Sequence, residues 1–168
     1  LDSVAIYKLL WSNIERYTNI DLKTIKELTL DYLNNNEVKF EDITPIIYIR
    51  SSLEGFRSYG NMKHVLVDEA QDYSPLFYEI VKKSFPNASL TIMGDLNQRI
   101  DKHSNVKSRN SITDVFNDVK TVVLTKSYRS TGNITKFTKD ILDTHEPIEA
   151  VDRIGDKPTI YIVNNNLE

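Results

Sequence analysis

The chain has 168 residues, 40% of them hydrophobic and 27% charged, an ordinary globular mix with room for one domain, or one domain and part of another. Its 21 basic and 24 acidic side chains give a net charge of −3, short of the basic balance of a dedicated nucleic-acid module, and the lack of cysteine excludes disulfides, thiolate metal sites and a cysteine nucleophile. No uninterrupted apolar run reaches the roughly 18 residues of a bilayer span, and the first residues lack the basic flank and cleavage site of a leader, so an intracellular, cytoplasmic protein without membrane contact is expected.

Val4, Tyr7, Leu10, Trp11, Ile14 and Tyr17 recur at helical spacing, which predicts a helix over 2–17. Asp21 is the expected N-cap of a second helix, with Ile25, Leu28, Tyr32 and Leu33 inward and Asn34-Asn35-Asn36 as its stop. A third helix is expected from Thr44, with Pro45 at its first position, through Ile46, Ile47, Ile49 and Leu53. The pattern changes at His64-Val65-Leu66-Val67, which reads as a short buried strand. Ser74-Pro75 opens a helix to about Ser84 with Phe77, Ile80 and Val81 inward, and Ser89–Met93 is a second strand. This β-α-β order implies adjacent parallel strands with a right-handed crossover. Residues 101–111 read as an exposed polar loop, Thr113 as the cap of a short helix through Phe116, and Thr121–Leu124 as a third strand. Thr131 is the expected cap of a helix bearing Ile134, Phe137, Ile141 and Leu142, and Thr159–Val163 reads as a last strand. The class is α/β, a parallel sheet with flanking helices behind a helical N-terminal segment.

Charge is unevenly spread. Residues 99–139 hold nine Lys or Arg against three Asp, a local +6, so the remainder carries −9. This basic stretch is either a solvated face or a phosphate-facing half.

In open parallel sheets ligands bind beyond the carboxyl ends of the strands. Both predicted strands end in acids there: Val67 in Asp68-Glu69, Met93 in Gly94-Asp95. An oxygen-rich edge suits Mg²⁺, which takes one or two carboxylates plus phosphate oxygens and water. Asp68 and Glu69 are the candidate metal-side acids, and Glu69 is placed to poise a water for attack. Gly94 permits close backbone approach beside Asp95, and Gln98 can hold a phosphate oxygen and a water together. Each feature alone also has an ordinary explanation: a solvated acid pair, a Gly-Asp turn, or Asp72 or Ser74 as a helix cap.

Asp68-Glu69-Ala70-Gln71-Asp72 resembles the DEAQD form of the Walker B motif in UvrD/Rep/PcrA-type helicases of superfamily 1. Gly94-Asp95-Leu96-Asn97-Gln98-Arg99-Ile100 resembles their GDxxQxI motif, and Ser127-Tyr128-Arg129-Ser130-Thr131 their NYRST motif, in the family's order. The resemblance covers roughly residues 62–142. It implies a RecA-like, P-loop NTPase-type fold: residues 1–60 a helical lead-in, 61–126 the C-terminal part of a first RecA-like domain, 127–168 the start of a second. It further implies ATP and Mg²⁺ as cofactors, with Asp68 on the metal and Glu69 activating the attacking water. Gln71 and Asp72 would link the nucleotide site to neighbouring motifs, Gln98 would sense the γ-phosphate, Tyr128 would stack on adenine, and Arg129 would act as an internal arginine finger.

Two departures qualify the resemblance. The Walker A pattern GxxxxGK[ST] is missing: Gly55–Gly60 has the glycine spacing, but Asn61-Met62 follow it, and it precedes a strand where a P-loop must follow one. The chain therefore reads as the middle of a longer motor that needs a Walker A segment as partner and is inactive alone. After Ile100 the family's DNA-stacking aromatic-Arg segment is replaced by Asp101-Lys102-His103-Ser104-Asn105. Together with Tyr73-Ser74-Pro75 this resembles the HelD-type branch, motors that act on bacterial RNA polymerase. Single-stranded DNA and RNA polymerase are thus both expected partners of the parent protein. The alternatives are a degenerate ATPase-fold scaffold, and a Mg²⁺ nuclease or phosphatase using Asp68, Glu69, Asp72 and Asp95.

Overall fold

The computed structural model describes residues 2–95, 110–141 and 149–162. They form a mixed architecture of helices and two small parallel sheets, divided into two compact units, Leu1–Asn117 and Asp118–Glu168. No helix among the described residues is long and apolar enough to cross a membrane.

The first unit begins with three helices. Helix α1 spans Ser3–Ser12, its N-terminus capped by Asp2, whose carboxylate accepts the Val4 N–H at 2.9 Å. It stops five residues before the predicted end. The Asn13 side chain donates to the Leu9 carbonyl, and the chain passes into a 3-10 turn over Ile14–Arg16. Helix α2 spans Lys23–Asn34. Leu22, not Asp21, occupies the cap position, although the Asp21 carboxylate still accepts the Lys23 N–H at 3.1 Å. The packed stripe is Lys26, Thr29 and Leu33; the expected Ile25 and Leu28 are exposed. Asn36 adopts φ 60, a left-handed conformation that suits asparagine at a helix end.

Helix α3 runs Phe40–Glu54, four residues earlier than expected, so Pro45 lies inside it and not at its first position. Its missing N–H forfeits one bond to the Glu41 carbonyl near the helix start. The earlier start brings Asp42 into the helix. Asp42 is buried and accepts the Tyr7 hydroxyl at 2.7 Å, which ties α3 to α1. Burial pushes the Tyr7 phenol above its usual range, and the Asp42 carboxylate adds to the effect.

Strand β1 is His64–Val67 and β2 is Ser89–Ile92, paired in parallel with His64 opposite Ser89 and Val67 opposite Ile92. Helix α4, Pro75–Ser84, joins them, capped by Ser74 Oγ from the Phe77 N–H. Short β-branched runs around a Ser-Pro helix start carry this unit, as the sequence indicates. The strand is not buried on both faces: Val67 is covered, whereas Leu66 is 60% exposed.

The core of the sheet is Val67, Ala70, Tyr78 and Val115, packed by Val65, Phe77, Ile92, Ile112 and Phe116. Ile112 comes from the short helix α5, Asn110–Thr113, which ends at Thr113 instead of being capped by it. Lys82 Nζ donates to the Val115 carbonyl at 2.7 Å and fastens this segment to α4. The expected loop over 101–109 lies outside the described residues.

The second unit pairs β3, Lys126–Ser127, in parallel with β4, Glu149–Ala150, and carries α6, Gly132–Ile141. The expected strand over Thr121–Leu124 is not formed, because that run finds no ladder partner among the described residues; Val122 and Leu124 are exposed. The same holds for Thr159–Ile162, while Val163 and Leu142 lie outside the described residues. Thr131 stands before α6, yet its hydroxyl is buried without a hydrogen bond and does not cap the helix. The cause is the close approach of Gly155, whose missing Cβ would collide with the Thr131 side chain.

Candidate functional site

The carboxyl ends of β1 and β2 are stitched together by the main chain. Met93 N–H donates to the Val67 carbonyl at 2.8 Å, and Ala70 N–H donates to the Met93 carbonyl at 2.9 Å. Between those bonds the chain turns sharply. Glu69 adopts φ 49, ψ 45, a left-handed conformation uncommon for a residue with a Cβ, before the 3-10 turn Ala70–Asp72. The surroundings hold it there. Asp72 N–H donates to the Glu69 carbonyl at 3.0 Å, and the Tyr78 hydroxyl donates to the Ala70 carbonyl at 2.9 Å. Backbone strain of this kind collects at functional positions.

The side chains follow from that turn. Asp68 and Glu69 are exposed, and Asp68 Oδ1 accepts the Glu69 N–H at 2.9 Å. Gln71 is 2% exposed and bridges two elements: its Nε2 donates to Glu69 Oε2 at 2.7 Å, and its Oε1 accepts the Asp95 N–H at 3.0 Å. Asp72 points to solvent and Ser74, not Asp72, caps α4. Gly94 is sterically required. A Cβ there would stand 2.7 Å from Gln71 Oε1 and 3.0 Å from both Ala70 Cβ and Ala70 N.

Gln98 lies outside the described residues, as do Arg99 and Ile100. In the second unit, Tyr128 and Arg129 follow β3 directly and are exposed. They occupy the same kind of position in that unit as Asp68 and Glu69 in the first, after a parallel strand and before a helix.

Two alternatives can be tested on geometry. Gly55–Gly60 follows a helix and leads into β1, with Gly55 closing α3 at φ 95, which is the reverse of a phosphate-cradling loop. Among the described residues no three His, Cys, Asp or Glu side chains converge into a metal cage, as the acid-only nuclease reading needs. The donor set does fit Mg²⁺ held mostly by water and phosphate: one exposed strand-end carboxylate, Asp68, beside a second acid occupied by an amide.

Comparison with known proteins decides the family. The family model for the UvrD/REP helicase N-terminal domain matches residues 2–113, two thirds of the chain. The chain belongs to the UvrD/REP helicase family. It is 30% identical over 118 residues to ATP-dependent DNA helicase Rep of Escherichia coli, covering 67% of this chain and 17% of that protein. Rep of Buchnera aphidicola is 29% identical over 126 residues, covering 71% and 19%. ATP-dependent DNA helicase Srs2 of Schizosaccharomyces pombe is 26% identical over 134 residues, covering 77% and 14%. The chain thus spans less than a fifth of the length of these relatives. For a UvrD/REP family member, Asp68–Asp72 and Gly94-Asp95 fall on the joined ends of β1 and β2.

Sequence reasoning missed Tyr78. It is fully buried, and its hydroxyl secures the turn that presents Glu69. The signal was its place three residues after Pro75, between the inward Phe77 and Val81. Replacing Tyr78 by Phe is expected to lower unfolding free energy by about 1 kcal/mol, the worth of one hydrogen bond, measured by urea denaturation. Burial also raises the Tyr78 phenol above its ordinary value of about 10. Its stabilisation is therefore complete below that value and lost as pH rises through the folded value, so the wild type should lose stability above about pH 10 more steeply than the Phe variant.

Gly94→Ala forces a methyl group against Gln71 and the Ala70 main chain. The expected cost is about 1–3 kcal/mol. A thermal midpoint equal to the wild type would show that the β1 and β2 ends separate without penalty.

Proposed function

We propose that this chain is part of an ATP-dependent DNA-helicase motor in which Mg²⁺-nucleotide hydrolysis takes place at the carboxyl ends of β1 and β2. The observation that supports it most is the Asp68–Glu69 turn. One exposed carboxylate directly ends a strand, and the next is presented by a left-handed residue and held by a buried amide. In this reading the fold is RecA-like, with 1–60 a helical lead-in, 61–126 the end of the first RecA-like domain and 127–168 the start of the second.

Asp68 holds Mg²⁺, which when bound supplies charge neutralisation on the phosphates. Glu69 accepts a proton from the attacking water, and its exposed carboxylate leaves space for that water. Gly94 and Asp95 form the neighbouring wall, and Gln98 contacts the γ-phosphate. Tyr128 presents a flat face for adenine and Arg129 a fixed fork for phosphate oxygens. Supporting the DNA assignment, the matched relatives are named as ATP-dependent DNA helicases. The finer HelD-type assignment, with RNA polymerase as partner, rests on Tyr73-Ser74-Pro75 and on residues 101–105.

Catalysis needs a phosphate cradle that residues 55–62 do not form. The chain measured alone is therefore expected to hydrolyse Mg²⁺-ATP at background rate in a phosphate-release assay. Turnover by this chain that disappears in Glu69→Gln would overturn the need for a Walker A segment.

A further inference from the structure

The polarity of the Gln71 amide is dictated by its neighbours. Gln71 is buried, and one end of its side chain faces the Asp95 N–H at 3.0 Å. A main-chain N–H only donates, so the atom facing it must be the carbonyl oxygen. The other end is then the NH₂ group, which only donates, and it meets Glu69 Oε2 at 2.7 Å. The approach depends on Gly94, since a Cβ there would stand 2.7 Å from Gln71 Oε1. A short chain of hydrogen bonds thus runs from the Asp95 main chain after β2 to the carboxylate after β1.

We propose that Gln71 is a positioning residue that makes the orientation of the Glu69 carboxylate depend on the place of the Asp95 main-chain N–H. This rests on the reading of Glu69 as the base for the attacking water. The physical basis is the cost of an unpaired buried group. If the Asp95 N–H withdraws, a buried carbonyl loses its donor, and the amide must turn or follow. Either movement takes the donor away from Glu69. An exposed carboxylate without that donor samples many rotamers, and fewer of them suit proton transfer. Tyr78, fixed to the Ala70 carbonyl, keeps the backbone beneath Gln71 still, so displacement of Asp95 is passed to the side chain. Asp95 opens the segment carrying the GDxxQxI motif. Ligand contacts in that segment therefore reach the base through two hydrogen bonds.

The test has two arms. In this chain, amide hydrogen exchange followed by NMR reads the bridge without any enzymology. Gln71→Met, which keeps the length and loses both polar ends, is expected to speed exchange of the Asp95 N–H at least about tenfold, with the other β2 amides unchanged. Exchange at Asp95 that is unaffected by Gln71→Met would show that no bridge holds it. Gln71→Glu keeps the acceptor for Asp95 and loses the donor to Glu69, so Asp95 protection should survive in it; if it fails as in the Met variant, the bridge is again overturned.

In the full-length protein, Gln71→Met is expected to lower ATPase kcat about 10–100-fold, the usual loss when a supporting partner is removed, with KM for ATP within about twofold. A double-mutant cycle separates positioning from general stability. In the Glu69→Gln background, Gln71→Met should lower kcat no further. An equal loss in both backgrounds, or wild-type kcat in Gln71→Met, contradicts the positioning role. Full activity in Glu69→Gln itself instead sinks the underlying assignment of the base, and the exchange arm then still decides whether the bridge exists.

Discussion

Replacing Glu69 by Gln is expected to lower ATP hydrolysis by the full-length protein about 10²–10⁴-fold, the contribution of a positioned general base. The carboxylate is exposed, so the substitution removes the proton acceptor without emptying any core space. Gln at this position keeps an oxygen to accept from Gln71, so the turn before Ala70–Asp72 should persist. Nucleotide binding, measured by fluorescent-analogue titration, should change little, because the phosphates and metal are held by other groups. A variant that binds nucleotide and turns it over at the wild-type rate would favour the scaffold reading, in which the acids are structural.

Arg129→Ala is expected to reduce turnover about 10³–10⁵-fold, the range attributed to an arginine that neutralises charge on the transferring phosphoryl group. Arg129 is exposed and follows β3 in its own unit, so its removal should not destabilise that unit. The loss should fall on kcat more than on KM, because the charge it meets is greatest in the transition state. Arg129→Lys should rescue poorly, since an ammonium is a point charge without the planar fork. A drop confined to KM would assign Arg129 to ground-state binding instead.

The parts of the fold that rest on local chemistry were legible in the residues alone. His64–Val67 and the Ser74-Pro75 helix start carry unambiguous signals, and the strands pair in parallel as the β-α-β order requires. Longer-range packing overrode the rest. The third helix starts at Phe40 because Asp42 is drawn in to meet the Tyr7 hydroxyl, a contact 35 residues apart that no window of sequence contains. The apolar runs Thr121–Leu124 and Thr159–Ile162 have strand composition but no ladder partner among the described residues, and composition cannot supply one.

The candidate site divides along the same line. Motif spacing located Asp68, Glu69, Gly94 and Asp95, because ligands gather at strand ends and the strands themselves could be read. The roles of Gln71 and Tyr78 depend on which side chains turn inward after the left-handed residue at 69, and periodicity is silent on a turn. Gly94 reads in sequence as an ordinary turn glycine. The structure gives a different reason for it: Ala70 and Gln71 occupy the space a Cβ would take.

The central claim is that the joined ends of β1 and β2 serve nucleotide hydrolysis in a DNA-driven motor. Its most direct test is steady-state ATP hydrolysis by the full-length protein, with and without single-stranded DNA and with and without Mg²⁺. Hydrolysis that requires Mg²⁺, rises with DNA and collapses in Glu69→Gln is the predicted result. Mg²⁺-dependent DNA cleavage without ATP, or ATP turnover indifferent to Glu69→Gln, would contradict it.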